Sequence, residues 1–280
     1  MIIWLASYPK SGNTLLRSML AAYLFSKDGI YDFSLIKNIK QFPHGGLFIK
    51  MGIDIKDHNE TIKNYIKAQE SFNKKNAVQF LKTHSYLFNF NKENGFTDSN
   101  NTLGVIYIVR DPRNVVTSWA KFADISIEES LDKLINGLKT GGQTDKGDIK
   151  TYINNWKTNY NSWKAFEFQH KYLLIKYEDL VKNTKVEFEK ILKFVFKLKN
   201  QKFAINKKKF ENVIKTTSFE IMKNLEKKKG FYESQKDQEG KKIPFFNLGS
   251  KNCWKRLLDP KITIQIEIAC KQEMIELGYL

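Results

Sequence analysis

The chain has 280 residues, of which 41% are hydrophobic and 14% aromatic; this is enough apolar material for a packed core and excludes wholesale disorder. Its formal net charge of +17 comes almost entirely from lysines scattered along the sequence, because only four of the 47 basic residues are arginines. Arginine is the better bidentate phosphate ligand, so this pattern argues against a dedicated nucleic-acid surface and favours attraction of an acidic substrate.

The sequence contains no apolar run of about 18 residues, which argues against a membrane span. No basic segment precedes the apolar start, so we expect a cytoplasmic protein without a signal peptide. Cys253 and Cys270 are the only cysteines, which fits a reducing compartment. Neither the cysteines nor the four histidines have the spacing of metal ligands, so we expect no metal site.

The N-terminal stretch predicts a strand, a turn and a helix. Residues 2–6 form an apolar run of strand length, Pro9 and Gly12 mark a turn, and apolar residues recur at helical spacing over 14–25. The polar residues at this junction form a phosphate cradle, because the first N–H groups of a helix and a lysine ammonium both attract anions. The motif is not the nucleotide-triphosphate loop G-x-x-x-x-G-K-[ST], since Lys10 precedes the serine and the glycine.

The segment Tyr-Pro-Lys-Ser-Gly-Asn-Thr at residues 8–14 resembles the 5′-phosphosulfate loop of sulfotransferases that use 3′-phosphoadenosine 5′-phosphosulfate (PAPS). The resemblance implies that Lys10 neutralises charge on the bridging oxygen as it leaves. It also implies that the 5′-phosphosulfate is held by the loop residues Ser11, Gly12, Asn13 and Thr14. Leu15 is a departure, because many members of the family have an adenine-stacking tryptophan at this position.

A second apolar run predicts a buried strand that ends in Lys82, Thr83 and His84. Ligands in open α/β sheets bind beyond the carboxyl ends of strands, and residues two apart face the same side, so Lys82 and His84 are candidates for chemistry. Lys-Thr-His matches the catalytic Lys-x-His segment of the same family. Histidine titrates in water at about pH 6.5 and suits a general base for the acceptor proton, while Lys82 is expected to assist near the transferring group.

Residues 103–119 again predict a strand, a turn and a helix. Arg110 stands at the end of the strand and Ser118 two turns into the helix, an arrangement that can clamp a phosphate from two elements. The string resembles the second signature of the family, which implies that Arg110 and Ser118 hold the 3′-phosphate. Arg113 is expected to support the loop structurally.

Two further segments resemble nucleoside-binding elements of the family. Residues 172–180 predict a strand that leads into a helix, and their Tyr-Glu-Asp-Leu ending implies that Tyr177 lies beside the nucleotide. Residues 216–223 resemble the element Thr-Ser-Phe-x-x-Met-Lys, which implies that Thr217 and Phe219 contact adenosine, with Phe219 stacking on the base. Packing in the core is the alternative interpretation for Phe219.

The C-terminal motif at residues 245–255 departs from the family pattern. The family usually has an Arg-Lys-Gly cluster here that closes over the 3′-phosphate. Gly249 matches, but Asn247 and Leu248 replace the two basic residues. We therefore place Asn247, Gly249 and Lys251 in the nucleotide site, with Lys251 or backbone N–H groups as substitutes for the missing cations.

Strands that alternate with helices predict an α/β fold: one P-loop-like domain, residues 1–280, with a central, mainly parallel sheet flanked by helices on both faces. Helical spacing also predicts helices over 152–168 and 262–280, and residues 141–147 predict a loop that contributes to an acceptor lid. The sequence gives no indication of the oligomeric state.

The resemblance covers nearly the whole chain and implies a PAPS-dependent sulfotransferase that works by in-line transfer to a hydroxyl or amine, without a metal. The acceptor stays open among small molecules, lipids and glycans. Two other functions remain possible at this point. One is a P-loop-type kinase of a small hydroxyl compound, which the position of Lys10 before the glycine disfavours. The other is a non-enzymatic binder of anionic glycans or nucleic acid that uses the lysine-rich surface.

Overall fold

The computed structural model describes residues 1–73, 77–90, 94–140, 149–237 and 239–280, so the loop expected at 141–147 lies outside the described residues. The strands are β1 (Ile2–Ala6), β2 (Lys40–Gln41), β3 (Gln79–Thr83), β4 (Thr102–Val109), β5 (Leu138–Thr140), β6 (Thr151–Asn154), β7 (Tyr172–Lys176), β8 (Gln235–Lys236) and β9 (Lys242–Ile243). The α-helices are α1 (Asn13–Phe25), α2 (Gly45–Lys50), α3 (His58–Lys63), α4 (Tyr65–Asn73), α5 (Pro112–Ala123), α6 (Ile127–Asn136), α7 (Trp156–Trp163), α8 (Tyr177–Lys182), α9 (Thr184–Leu198), α10 (Lys207–Thr216), α11 (Phe219–Lys229), α12 (Trp254–Leu257), α13 (Pro260–Ala269) and α14 (Lys271–Glu276). Short 3-10 helices cover Leu35–Asn38, Lys164–Gln169 and Gly249–Lys251.

The chain folds into two compact units. The first unit consists of Met1–Tyr8, Asn38–Val109 and Leu138–Ala204. The second unit consists of Pro9–Lys37, Arg110–Gly137 and Ile205–Leu280. The single domain over residues 1–280 stays a prediction.

The first unit contains the main sheet. Its strand order is β2-β3-β1-β4-β7, and every neighbouring pair is parallel. Ala6 at the end of β1 is opposite Thr83 at the end of β3, so the carboxyl ends of these strands meet at one edge. The prediction of a mainly parallel central sheet is confirmed.

Helices of the first unit cover both faces of this sheet. A Cβ added to Gly104 in β4 would lie 2.3 Å from Leu198 of α9, so the glycine allows that helix to approach closely. The hydroxyl of Tyr107, three residues further along β4, donates to Asn159 of α7 at 2.7 Å. Residues an odd number apart in a strand face opposite sides, so α9 and α7 lie on opposite faces, as a parallel sheet requires.

The core of the first unit is built around β1, all of whose residues are fully buried. Trp4 donates from Nε1 to the hydroxyl of Thr102 at 3.0 Å, and its ring lies 5.2 Å from that of Phe96 and 5.6 Å from that of Phe42. Burying an aromatic side chain of about 200 Å² contributes about 5 kcal/mol of hydrophobic free energy. This cluster therefore makes β1 a rigid base for the residues that follow it.

The second unit is mainly helical. Asp111 caps α5 by accepting from the backbone N–H of Arg113, with Pro112 in the first turn, where a missing N–H costs little. Its aromatic core includes Phe33, Phe231 and Phe246, whose ring centroids lie 4.5–6.1 Å apart. None of the helices in the described part of the chain has the length and apolarity needed to cross a membrane.

Two expected helices are shorter than the sequence pattern indicated. Residues 151–154 pair with β5 as a strand, and α7 begins only at Trp156, because Asn154 has a positive φ of 64° and the Asn155 side chain caps the helix by accepting from Thr158. The C-terminal helix expected over 262–280 is divided into α13 and α14. The break occurs at Cys270, whose φ of −116° is not helical.

Candidate active site

His84 is the first residue after β3, at the carboxyl edge of the sheet in the first unit. Its Nδ1 atom lies 2.9 Å from the carbonyl oxygen of Ser7 and 3.1 Å from the Ser7 hydroxyl. A carbonyl oxygen can only accept a hydrogen bond, so Nδ1 carries the proton and donates it to Ser7. In the neutral ring, Nε2 then keeps the lone pair, which is the tautomer that a general base requires.

Two buried side chains of α7 fix the backbone around His84. Asn159 donates to the carbonyl oxygen of His84 at 2.9 Å, and the indole of Trp163 donates to the carbonyl oxygen of Ser85 at 3.0 Å. Asn159 is fully buried and also accepts from Tyr107. The sequence pattern did not predict this role of Asn159. The signal that could have found it is an asparagine on the same face of the helix as an aromatic stripe.

Lys82 and Tyr177 also lie at strand ends in the first unit. Lys82 is the penultimate residue of β3 and is 8% exposed, and its carbonyl oxygen accepts from the backbone N–H of Phe42. Tyr177 directly follows β7 and is half-buried. Because β1 and β4 separate β3 from β7, the ends of these two strands are about 14 Å apart across the sheet.

The loop that leads into α1 belongs to the second unit. Gly12 occupies the N-cap position with a positive φ of 100°, and no side chain caps the helix start. The Ser11 hydroxyl is fully buried and has no hydrogen-bond partner among the described residues. The first N–H groups of a helix lack intrahelical acceptors, and buried polar groups are normally satisfied, so this combination indicates an anion site.

Lys10 combines an uncommon backbone conformation with aromatic surroundings. Its φ of 63° lies in the left-handed region, which few non-glycine residues adopt. The guanidinium of Arg110, which is buried, donates to the carbonyl oxygen of Lys10 at 3.1 Å and so supports the loop. The Lys10 ammonium lies 3.8 Å from the ring centroid of Phe122 and 4.3 Å from that of Phe245, where cation–π attraction retains it.

Thr14 contacts the carboxylate of Glu233, which the sequence motifs did not predict. The Thr14 hydroxyl donates to Glu233 at 3.3 Å, and Glu233 forms an ion pair with Arg17 at 2.7 Å. Burial opposes the charge of Arg17, but Glu233 and Tyr232 outweigh it and raise the pKa of the guanidinium. No local pattern signals this pair, because 216 residues separate Arg17 from Glu233 in the sequence.

Phe219 and Gly249 pack against each other in the second unit. Phe219 is the half-buried first residue of α11, and a Cβ on Gly249 would lie 2.5–2.8 Å from its ring atoms. Gly249 also has a φ of 54°, so only glycine fits without displacing the ring. Thr217 is buried and donates its hydroxyl to the carbonyl oxygen of Val213 at 2.7 Å, which leaves the Thr217 oxygen able to accept from a ligand.

Asn247 and Lys251 flank Gly249. Asn247 is half-buried, and its carbonyl oxygen accepts from the ammonium of Lys223 at 3.4 Å. Lys251 is exposed and ends the 3-10 helix. The segment thus carries one exposed lysine, and a second lysine reaches its backbone from α11.

The C-terminal segment is anchored on α5. Asn252 accepts from the hydroxyl of Thr117 at 2.7 Å and donates to the carbonyl oxygen of Asn114 at 2.9 Å. Ser118, the neighbour of Thr117, is half-buried. These contacts join the segment that follows Gly249 to the helix that follows Arg110.

Arg113 has structural contacts, as expected. Its guanidinium donates to Asp111 at 2.7 Å, to Glu267 at 2.6 Å and to the carbonyl oxygen of Tyr279 at 2.9 Å. It also lies 4.0 Å from the ring centroid of Trp254. Arg113 therefore ties the start of α5 to the C-terminal helices.

The predicted residues divide between the two units. The first unit holds Lys82, His84 and Tyr177, and the second unit holds Lys10, Ser11, Gly12, Asn13, Thr14, Arg110, Ser118, Thr217, Phe219, Asn247, Gly249 and Lys251. Ring contacts connect Lys10 with Phe219 within the second unit, because Phe245, beside Lys10, lies 5.1 Å from Phe246, which lies 6.4 Å from Phe219. Among the described residues, no group of three histidine, cysteine or acidic side chains could hold a metal ion.

Comparison of the sequence with known proteins gives consistent matches. A family model described as "Sulfotransferase domain" matches residues 2–278. The flavonol 3-sulfotransferase of Flaveria bidentis is 22% identical over 280 residues, which cover 95% of this chain and 79% of that protein. Cytosolic sulfotransferase 17 of Arabidopsis thaliana is 26% identical over 194 residues, which cover 63% of this chain and 51% of that protein.

Solved structures show the same fold. Retinol dehydratase was crystallised with retinol and 3′-phosphoadenosine 5′-phosphate (PAP). It superimposes with a TM-score of 0.63 at 16% identity, over 98% of this chain and 81% of that chain. A mouse sulfotransferase crystallised with PAP superimposes with a TM-score of 0.54 at 16% identity, over 97% of this chain and 83% of that chain. At this level of identity the likeness is one of fold.

Proposed function

The chain belongs to the sulfotransferase domain family, and from this premise we propose that it transfers a sulfuryl group from PAPS to a hydroxyl or amine of an acceptor. The observation that carries the proposal is the buried Ser11 hydroxyl, which lacks a partner among the described residues, at the uncapped start of α1. Together with Lys10 in the same loop, it offers hydrogen bonds and positive charge to a phosphate-like group.

The residues of the second unit fit a phosphorylated adenine nucleotide. The loop at the start of α1 fits an anion, and the ring of Phe219 offers a stacking surface for a base. We assign the 5′ end to Lys10, Ser11, Gly12, Asn13 and Thr14. We assign the adenosine to Thr217 and Phe219, and the 3′-phosphate to Arg110, Ser118, Asn247, Gly249 and Lys251. The retinol dehydratase and mouse sulfotransferase crystals contained PAP, the desulfated nucleotide, which supports PAPS as the donor.

PAPS, when bound, supplies a sulfuryl group and a phosphate leaving group. The Lys10 ammonium stabilises the negative charge that the reaction places on the bridging oxygen. Arg110 holds the carbonyl oxygen of Lys10 and so fixes the loop from which the ammonium extends. Lys82 adds positive charge near the transferring group.

His84 takes up, at Nε2, the proton of the hydroxyl or amine of the acceptor molecule. The carbonyl oxygen of Ser7 accepts from Nδ1–H both before and after this transfer, so it stabilises the imidazolium that forms. Asn159 keeps the backbone of His84 in place from the buried side. Deprotonating the acceptor makes it a stronger nucleophile, and correct positioning supplies the rest of the acceleration.

We propose a small hydroxylated molecule as the acceptor. The Flaveria relative is named for a flavonol, and a guinea-pig relative that is 28% identical over 123 residues is named for a 3-beta-hydroxysteroid. Both names describe hydroxyl groups on compact ring systems. Lipid and glycan acceptors are the other outcomes that the experiment below distinguishes.

The decisive experiment incubates the protein with isotopically labelled PAPS and with pooled small molecules, lipids and glycans, followed by mass spectrometry of the sulfated products. We expect a labelled product with the wild type and at most about 1% of its rate of formation with Lys10→Ala or His84→Ala. A parallel incubation with ATP and magnesium tests for phosphoryl transfer. Phosphorylated products without sulfated ones would replace this proposal with a kinase.

Ligand-induced stabilisation provides an independent test. At equal concentrations, PAP should raise the melting temperature more than ATP with magnesium does, because a ligand at free concentration L stabilises the fold by RT ln(1 + L/Kd), which grows with its affinity. No shift with PAP, together with steeply salt-dependent binding to heparin or RNA, would instead indicate a non-enzymatic binder.

A further inference from the structure

Lys223 lies one helical turn after Phe219 on α11, so the two side chains share a face of the helix. Its ammonium lies 5.6 Å from the centroid of the Phe219 ring and 3.4 Å from the carbonyl oxygen of Asn247. Lys223 is half-buried, whereas Lys227, Lys228 and Lys229 at the end of the helix are exposed. The charge of Lys223 is therefore directed along the helix face toward a specific segment of backbone.

The surroundings of this ammonium have the features of a nucleotide site. The ring of Phe219 is packed against the backbone at Gly249, where a side chain would not fit. The neighbouring Asn247 and Leu248 have no charge to offer a ligand. A lysine ammonium has three N–H donors, and among the described residues the long bond to Asn247 uses one of them. The cluster thus combines an aromatic surface, a close backbone and a cation that can still donate.

We infer that Lys223 binds the 3′-phosphate of the nucleotide and supplies, from α11, the positive charge that Asn247 and Leu248 lack. This inference rests on the proposed function, because it takes PAPS as the sulfuryl donor. A phosphate monoester carries a charge of about −1.5 to −2 near neutral pH. Arg110 and the exposed Lys251 balance it incompletely, because solvent screens the charge of an exposed lysine. Lys223 thus acts beside Arg110 as a specificity-determining residue, since it favours nucleotides that carry the second phosphate.

The test compares the binding of PAP and of 5′-AMP by calorimetry, because the two ligands differ only in the 3′-phosphate. The wild type should bind PAP more tightly than 5′-AMP. Lys223→Met keeps the aliphatic stem but removes the charge, and we expect it to bind PAP about 10- to 100-fold more weakly with little change for 5′-AMP. Lys223→Arg should retain the preference for PAP.

Lys228→Met is the matched control, because it removes the same charge from an exposed position on the same helix. It should leave both affinities unchanged, which excludes a general effect of net charge. Unaltered melting of the free variants confirms that they fold. A double variant, Lys223→Met with Asn247→Arg, should recover the preference for PAP, because the arginine returns a cation to the same segment.

Three outcomes would overturn the inference. Lys223→Met could keep the full preference for PAP, or it could weaken PAP and 5′-AMP equally, which would make Lys223 a packing partner of Phe219 only. A wild type that binds neither nucleotide would overturn the inference together with the proposed function. That third result is recognised in the wild type alone, so the two failures are distinguishable.

Discussion

Glu233 forms an ion pair with Arg17 at 2.7 Å, in which the side chains are only 17% and 3% exposed. The same carboxylate accepts from Thr14 at the start of α1. The pair therefore ties the chain after α11 to the helix that follows the anion loop. It also keeps the negative charge of Glu233 next to the hydroxyl of Thr14, a residue that we propose to bind the sulfuryl donor.

Removing one member of this pair should destabilise the protein more than removing both. Glu233→Ala leaves the Arg17 guanidinium buried without its carboxylate, and we expect a loss of about 3 kcal/mol in the free energy of unfolding. Arg17→Met combined with Glu233→Leu should recover most of that loss, because no uncompensated charge remains. Urea unfolding of the wild type, the single variant and the double variant measures this. A double variant that is less stable than Glu233→Ala would contradict the account.

Lys10→Ala should reduce kcat about 100-fold or more, because it removes the cation assigned to the leaving oxygen. Its melting temperature should fall only slightly, since the cation–π contacts that Lys10 loses with Phe122 and Phe245 are worth about 0.5–1 kcal/mol each. Lys121→Ala, at an exposed position on α5, is the control for loss of one positive charge. Equal turnover by these two variants would remove Lys10 from the mechanism.

His84→Ala should lower kcat about 100- to 10,000-fold, because it removes the general base that we propose for the proton of the acceptor. Ser7→Ala removes the hydroxyl but keeps the carbonyl oxygen that fixes the tautomer, so its kcat should fall less than about tenfold. The wild-type rate should also decline as the solution is acidified, since a protonated imidazole cannot accept a proton. A pH profile of kcat for the three proteins measures both effects. If Ser7→Ala were as inactive as His84→Ala, the hydroxyl would be the essential partner.

Gly249→Ala should weaken PAP binding at least about tenfold, because the new Cβ would displace the Phe219 ring that we assign to the base. Gly240→Ala is a matched control. Gly240 also has a positive φ, but a Cβ there meets no atom within 4 Å among the described residues. Both changes introduce backbone strain of about 1 kcal/mol, so both should lower the melting temperature. Only Gly249→Ala should alter PAP binding, which calorimetry measures. Parallel loss in both variants would attribute the effect to strain alone.

The parts of the candidate site that the sequence predicted are local ones. A short apolar run that ends in Lys82 and His84, or in Arg110, locates a strand and its carboxyl end without any information from the rest of the chain. Ligands in open sheets bind beyond that edge, which is why Lys82 and His84 are candidates. The structure places both at the end of β3, and their catalytic roles stay predictions. The same reasoning predicted the mainly parallel sheet, which the structure confirms.

The parts that the sequence did not predict depend on contacts between distant segments. Asn159 bonds to the carbonyl oxygen of His84 across 75 residues, and Glu233 reaches Thr14 across 219 residues. Helical spacing also predicted a start of α7 that is too early, because Ile153 continues the apolar pattern of the helix although it lies in β6. The pairing of β6 with β5 outweighed the helical periodicity of these residues. Asn154 and Asn155 were the local signal for the boundary between β6 and α7.

The left-handed backbone at Lys10 brings stability and activity into conflict. Glycine would suit this backbone conformation best, but only the lysine supplies the cation. A non-glycine residue there raises the energy of the folded chain by about 1 kcal/mol, whereas glycine would relax it. Lys10→Gly should therefore melt at a higher temperature than Lys10→Ala while being just as inactive. A lineage selected only for heat tolerance would drift toward glycine here, and only continued demand for turnover would keep the lysine.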